Sequence, residues 1–313
     1  MTPEYAIAVE GLTRDFGSFR AVDGVTFTVE RGEIFGFMGP NGAGKSTTIR
    51  MLTGHLLPTA GSGRVAGLDI IRDHRRLKEH TGYMPQGFSL YEDLTVMENL
   101  RFFGGMFGLG GKRLKERSAE VLNLVGLYDR RRQLARHLSL GHRQRLGLAS
   151  AILHEPSILL LDEPTSGVDP MSRRQFWEMI YGLAARGVTV LVTTHYLDED
   201  EFCDRLAIIH LGRLIALGAP GELKAALPHQ ILAVFPDRLG EALQVVKSLP
   251  EVEEAAVFGA GLHLASSRLE AAEAAVQAAL TARGIRVRRL HRVSPTLEDA
   301  FISLVAKAER ARS

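Results

Sequence analysis

The run Gly39-Pro40-Asn41-Gly42-Ala43-Gly44-Lys45-Ser46 satisfies the pattern G-x-x-x-x-G-K-[ST] at every defined position. Glycines at this spacing let successive backbone N–H groups curl round a phosphate, and the following helix points its positive end at the anion. In that setting Lys45 reaches the β and γ phosphates and the Ser46 hydroxyl binds Mg²⁺, with Thr47 next along the helix. Glycine is about 7% of ordinary chains, so accident produces the pattern in only about one chain in a hundred of this length. The preceding Ile34-Phe35-Gly36-Phe37-Met38 is an apolar run suited to a buried parallel strand. Residues 45–57 have helical composition and stop before Pro58. A nucleoside triphosphate site is the expectation.

Phosphoryl chemistry also needs a metal anchor and a group that activates water. Ile158-Leu159-Leu160-Leu161-Asp162-Glu163 supplies both, because an apolar strand carries Asp162 to its C-terminal end, where ligands bind in open α/β sheets. Asp162 is expected in the Mg²⁺ shell and Glu163 as the general base on the attacking water. A second apolar run, Val188-Thr189-Val190-Leu191-Val192, and a helix expected over 173–185 complete a strand–helix–strand unit and favour a parallel sheet. Short strands are expected at 6–9 and 25–29. A hairpin is expected at 206–210 and 214–217, round Leu211-Gly212-Arg213. Between about 85 and 153 the apolar spacing is helical.

The 313 residues are enough for two domains. Boundary signals gather at Gly218-Ala219-Pro220-Gly221, followed by a short helix ending at Pro228, so the division is placed at 1–227 and 228–313. The second part reads strand 231–235, helix 239–248, strands 255–258 and 262–265, helix 269–283 and strand 287–290. That is the order of an α+β, ferredoxin-like split unit. A final helix follows Pro295, with Ser294 and Thr296 competing as its cap. The cluster Arg283, Arg286, Arg288, Arg289 and Arg292 reads as a solvated or partner-facing strand edge in preference to a nucleic-acid or lipid-headgroup patch.

Lys plus Arg (38) less Asp plus Glu (36) leaves +2, which removes any global electrostatic reason to expect nucleic acid as partner. The single cysteine, Cys203, excludes an intrachain disulfide and a Cys-rich zinc site and fits a reducing compartment. The first residues lack a signal-peptide pattern, and no run of ~18 apolar residues is present. A soluble, intracellular chain is expected.

In their order along the chain these motifs resemble those of the ATP-binding subunits of ABC transporters, over roughly residues 4–225. The resemblance implies an α/β P-loop NTPase of the ABC type, with a helical subdomain inserted at about 86–153 and ATP with Mg²⁺ as the bound species. Gln86, in Tyr83-Met84-Pro85-Gln86, looks like the family's glutamine loop, which contacts Mg²⁺ or water and couples the site to the helical subdomain. Leu138-Ser139-Leu140-Gly141-His142 is similar to the signature Leu-Ser-Gly-Gly-Gln, departing at Leu140 and His142. Ser139 could cap the following helix while offering its hydroxyl, and the Gly141 N–H and helix end would face a γ-phosphate. Pro164-Thr165-Ser166-Gly167-Val168-Asp169 is similar to the D-loop, which crosses between two ATPase subunits. His195, after Val192-Thr193-Thr194, matches the switch histidine at the γ-phosphate. Phe16 takes the position of the adenine-stacking aromatic, with Phe19 a close rival.

In this family the phosphate loop of one subunit and the signature of another sandwich each ATP, so the resemblance implies a dimer, expected to be of identical chains. It also implies a separate integral membrane permease, received beside Gln86 and the stretch 88–107. The chain would then lie in the cytoplasm, peripheral on the inner face of the membrane. The wording of residues 161–170 and 193–199 is similar to the drug-resistance and multidrug-export branch. So is Ser294-Pro295-Thr296-Leu297-Glu298-Asp299-Ala300-Phe301 near the C-terminus. Power for an exporter of drugs or other amphipathic compounds is the expectation, with regulation or dimer contacts for the C-terminal part. The competing reading is a soluble ABC-type ATPase on ribosomes or DNA. Such proteins usually carry two modules with a charged linker, or long coiled coils, and this chain shows neither; no nucleic-acid partner is expected.

Overall fold

Apolar runs without polar interruption are stable as strands only when both faces are covered. Ile34–Met38, Ile158–Asp162 and Thr189–Thr194 are buried at every position. They lie in a six-stranded sheet ordered Arg213–Gly218, Arg205–His210, Ile34–Met38, Thr189–Thr194, Ile158–Asp162, Thr81–Met84. From Arg205–His210 to Thr81–Met84 the neighbours run parallel. The register sets Met38 opposite Thr194 and Asp162 opposite Thr193, so three strands end level, at the edge where the glycine-rich turn begins. This computed structural model describes residues 5–87, 90–194, 199–227 and 230–310, and the chain divides into two units at Leu217 and Gly218.

A second, antiparallel sheet in the first unit is ordered Phe19–Glu30, Tyr5–Phe16, Ala60–Val65, Leu68–Asp69. The short strands expected at 6–9 and 25–29 are parts of 12-residue strands. Their pairing slips between Val9 and Leu12, where Gly11 sits at φ +59°. A bulge thus absorbs the residues that break the alternation. The helix expected to run to Leu57 stops at Leu52. Gly54 takes φ +73°, and a Cβ there would lie 2.5 Å from the His74 carbonyl oxygen, so the chain turns before Pro58 is reached. Helices Val96–Met106, Gly111–Leu124 and Leu140–Ile152 fill the span between Thr81–Met84 and Ile158–Asp162. The helix expected at 173–185 spans Pro170–Ala184: Asp169 caps it and Pro170 supplies the preset φ of its first turn.

In the second unit the antiparallel strands are ordered Glu254–Phe258, Gly261–Ser266, Gln230–Pro236, Val287–Val293, which is second, third, first, fourth along the chain. That is ferredoxin-like topology. Leu232, Val234, Leu262 and Leu264 share a core with Ala242, Val246, Val276 and Leu280 of helices Leu239–Lys247 and Leu269–Ala282. Helix Pro220–Ala225 belongs to this unit and packs on Leu297–Arg310. Thr296, not Ser294, caps that last helix: it accepts from the Asp299 N–H at 3.2 Å, and its own N–H donates to Asp299 Oδ2 at 2.8 Å. Arg288, Arg289 and Arg292 lie on Val287–Val293, an edge strand.

Leu160 is fully buried in the central sheet. Leu160→Ala is expected to destabilise the first unit by about 2–5 kcal/mol. Urea unfolding followed by the fluorescence of Trp177, the single tryptophan, reads that loss directly.

Candidate nucleotide site

The glycine-rich turn is shaped by close backbone approach. A Cβ on Gly39 would stand 2.3 Å from the Ile209 carbonyl oxygen, and one on Gly44, at φ +107°, 2.5 Å from that of Ala21. Helix Lys45–Leu52 starts with no side-chain cap and no acid in its first turn, so nothing of its own opposes an anion at its leading N–H groups. Lys45 Nζ donates to the Gly39 and Pro40 carbonyls at 2.7 and 3.3 Å and lies 3.4 Å from Glu163 Oε1. This buried cation leans on neutral acceptors of its own loop, for which phosphate oxygens are direct substitutes. The adjoining cavity measures about 440 Å³, lined by residues 41–47, Phe16, Phe19, Ala21, Gln86 and Glu163. That volume suits a small ligand with convergent polar groups.

The acidic wall comes from the strand ends. Asp162 Oδ1 accepts from Ser46 Oγ at 3.0 Å and from Thr193 Oγ1 at 2.7 Å. Among the described residues no group of three or more His, Cys, Asp and Glu side chains is placed to cage a metal. The Ser46–Asp162 oxygen pair instead fits Mg²⁺, an ion that takes one or two protein oxygens and fills its shell with water and phosphate. Glu163 sits at φ +49°, a left-handed conformation that costs a side-chain-bearing residue roughly 1–3 kcal/mol. Its N–H donates to Thr193 Oγ1 at 2.9 Å and to the Thr193 carbonyl at 3.1 Å, which holds the turn. So turned, the carboxylate sets Oε1 toward Lys45 while Oε2 accepts from Gln86 Nε2 at 2.9 Å.

Phe16 and Phe19 are 47% and 61% exposed at the cavity mouth. The Arg14 guanidinium lies 4.7 Å from the Phe16 ring centroid and braces that ring. Glu199 escaped the sequence analysis. Fully buried, it accepts from Thr165 Oγ1 at 2.6 Å and Thr194 Oγ1 at 2.8 Å, with Arg173 Nε at 3.3 Å. It therefore ties the turn after Glu163 to the strand end that leads to His195. Its only local signal was an acid close after the Thr193-Thr194 pair. His195 itself lies outside the described residues.

Ser139 caps helix Leu140–Ile152, accepting from the His142 N–H at 3.4 Å. A Cβ on Gly141 would come within 3.0 Å of Ser172, and one on Gly167 within 3.4 Å of Leu140. The Ser139 turn is thus pressed against the start of Pro170–Ala184, where Asp169 accepts from the Ser172 N–H at 3.0 Å. That N–H bond, foremost, holds the Asp169 carboxyl below its ordinary pKa. Ser139, Gly141 and Asp169 do not line the cavity. The phosphate loop with its acids and the capped helix start at Ser139 thus stand apart from one another.

Parallel sheet, phosphate loop and strand-end acids define a P-loop nucleotide-binding protein. Residues 22–166 match the ABC transporter family. Over 222 residues the chain is 50% identical to a probable multidrug ABC transporter ATP-binding protein, YbhF, of Escherichia coli, covering 71% of this chain and 38% of that protein. Over 309 residues it is 36% identical to the linearmycin resistance ATP-binding protein LnrL of Bacillus subtilis, covering 97% and 99% of the two chains. A dimeric structure of a post-hydrolysis state of the ATP-binding cassette MJ0796, bound to ADP and Pi, matches with TM-score 0.62 and 25% identity over 68% of this chain and 98% of that one. The chain therefore spans well under half the length of YbhF and nearly all of LnrL. It belongs to the ABC transporter family of ATP-binding proteins.

Glu199→Ala withdraws the acceptor shared by Thr165, Thr194 and Arg173. The expected loss is about 3–5 kcal/mol, read as a lowered denaturation midpoint.

Proposed function

We propose that the chain is the ATP-hydrolysing subunit of an ABC exporter, in which two copies each complete the other's nucleotide site and drive a separate integral membrane permease. The observation that carries this reading is the contiguous set Lys45, Glu163 and Gln86, with Ser46 and Asp162 alongside, round a cavity that opens on an uncapped helix start.

On ATP binding, the loop N–H groups and Lys45 take the phosphate oxygens, and Lys45 exchanges the Gly39 and Pro40 carbonyls for them. Phe16 stacks on the base. Ser46 and Asp162 would hold Mg²⁺, with Gln86 nearby, and the ion would supply positive charge against the phosphates. Once Lys45 turns to phosphate, Glu163 is released to accept the proton of the attacking water, and Gln86 Nε2 keeps the carboxylate aimed. Ser139, Gly141 and Asp169 stand away from the cavity of their own chain, which frees them for the ATP of a second copy.

Among the described residues no helix is long and apolar enough to cross a membrane, so the translocation path belongs to other segments. The permease docks at the apolar cleft of about 240 Å³ formed by His55, Tyr83, Phe103, Met106, Phe107 and His154. Phe103 and Met106 lie on the helix that follows Gln86, and Met106 is 66% exposed. A shift of Gln86 during hydrolysis thereby reaches this face, at the cytoplasmic surface of the membrane. The multidrug name of YbhF and the linearmycin-resistance name of LnrL favour drugs or other amphipathic compounds as cargo.

Glu163→Gln is expected to bind ATP, lose about 10²–10⁴-fold in hydrolysis rate and double in mass by light scattering with ATP and Mg²⁺. A persistent monomer, or near-normal turnover, contradicts the reading. Met106→Asp is expected to leave ATP binding to the isolated subunit intact and to abolish co-purification of the permease; retained co-purification removes the cleft as the docking site.

A further inference from the structure

His142 stands where the family signature carries glutamine, and its ring is turned onto the signature serine. Nδ1 lies 2.8 Å from Ser139 Oγ, the same oxygen that accepts the His142 backbone N–H at 3.4 Å. We propose that His142 is a positioning residue that links closure of two copies on ATP to uptake of a proton. The proposal rests on the paired-copy reading above.

The protons on one oxygen decide which form of the ring suits a phosphate. Ser139 Oγ has one hydrogen to give and two lone pairs to fill. Beside a neutral ring protonated on Nε2, Nδ1 takes the serine hydrogen and the His142 N–H fills one lone pair. What remains on the oxygen is a bare lone pair, which repels an anionic phosphate. Beside the imidazolium, Nδ1–H and the backbone N–H fill both lone pairs. The serine hydrogen is then the one group left to point outward, and a γ-phosphate oxygen accepts it. A neutral ring protonated on Nδ1 reproduces these hydrogen bonds but not the charge, whereas the imidazolium adds a cation beside the anion. Phosphate arrival therefore favours the protonated ring over both neutral forms.

The surroundings keep the ring neutral until then. Burial first, then Arg130 from the short turn Tyr128–Arg130 and Arg145 from the same helix, push its pKa below the ordinary histidine value. Helix Pro170–Ala184 meets this end through Ser172, beside Gly141, and Gln175, on Arg145, while its cap Asp169 keeps its carboxylate on the Ser172 N–H. Ser172 and Gln175 do not titrate, Asp169 is held by the Ser172 N–H, and Glu92, Glu199 and Glu178 are paired with Arg143, Arg173 and Arg174. A dianionic phosphate presented by a second copy reverses the local field and raises the ring's affinity for a proton. With a higher pKa in the closed state, closure takes up a proton and strengthens as pH falls through the window between the open and closed values. The limiting slope is about tenfold per pH unit for one proton.

The test uses the full chain carrying Glu163→Gln, so that ATP persists, and measures ATP-dependent dimerisation by sedimentation from pH 8 to pH 6. His142→Gln, whose amide donates without titrating, and His142→Asn as a second non-titrating variant, are compared with the parent. The parent's dimer is expected to tighten as pH falls, by up to about tenfold per unit beyond any slope shared with the variants. His142→Gln is expected to dimerise at pH 8 at least as tightly as the parent does at pH 6. Equal pH slopes in parent and variants overturn the proposal while leaving the paired-copy reading intact. Failure of all three chains to dimerise at any pH overturns both.

Discussion

Lys45 and Glu163 are opposite charges buried side by side, 3.4 Å apart and almost wholly out of water. Removing such a pair from solvent costs several kcal/mol per ion, and hydrophobic residues of equal volume often serve stability as well or better. The pair is better explained by what it awaits. Lys45 is satisfied by two carbonyls of its own loop, Glu163 by Gln86, and each of these contacts has a counterpart in phosphate, water or metal. Phosphate and water can take over each of these contacts.

Everything that positions this pair follows from a parallel sheet with its strand ends in register. Met38 releases the chain into the phosphate loop opposite Thr194, and Asp162 ends its strand opposite Thr193. Thr193 then serves both acids, donating to Asp162 and accepting from the Glu163 N–H. Glu199 fastens the next turn by gathering Thr165 and Thr194 into one buried network. The half-site at Ser139 is built separately, on a helix start wedged against Pro170–Ala184 through Gly141 and Gly167. Its separation from the cavity of its own chain is what the proposed pairing of two copies rests on.

What was legible in the sequence was what chemistry forces into a local pattern. The loop from Gly39 to Ser46 had to be glycine, lysine and hydroxyl in that order, and the acids had to close an apolar strand. The ferredoxin-like unit was readable because its alternating and helical apolar patterns follow one another without a break; its strand limits moved by at most three residues. Less legible were features set by partners distant along the chain. The 12-residue strands hide behind a bulge at Gly11. The early end of the first helix depends on the His74 carbonyl, 20 residues further on. Glu199 gains its meaning only from Thr165 and Arg173. The contact between His142 and Ser139 was in reach at three residues' spacing, yet ring orientation is a product of packing and not of pattern.

The sharpest test of nucleotide shared between two copies is mixed-chain rescue. Lys45→Ala destroys the loop half-site and Ser139→Ala the helix-start half-site, so each variant alone should be nearly inactive in ATP hydrolysis. Mixing them pairs the intact loop of one with the intact Ser139 of the other, and hydrolysis should recover toward half of the unmodified rate per mixed pair. If the mixture stays as inactive as its parts while mass measurements show that the two chains associate, the two half-sites do not meet across a pair.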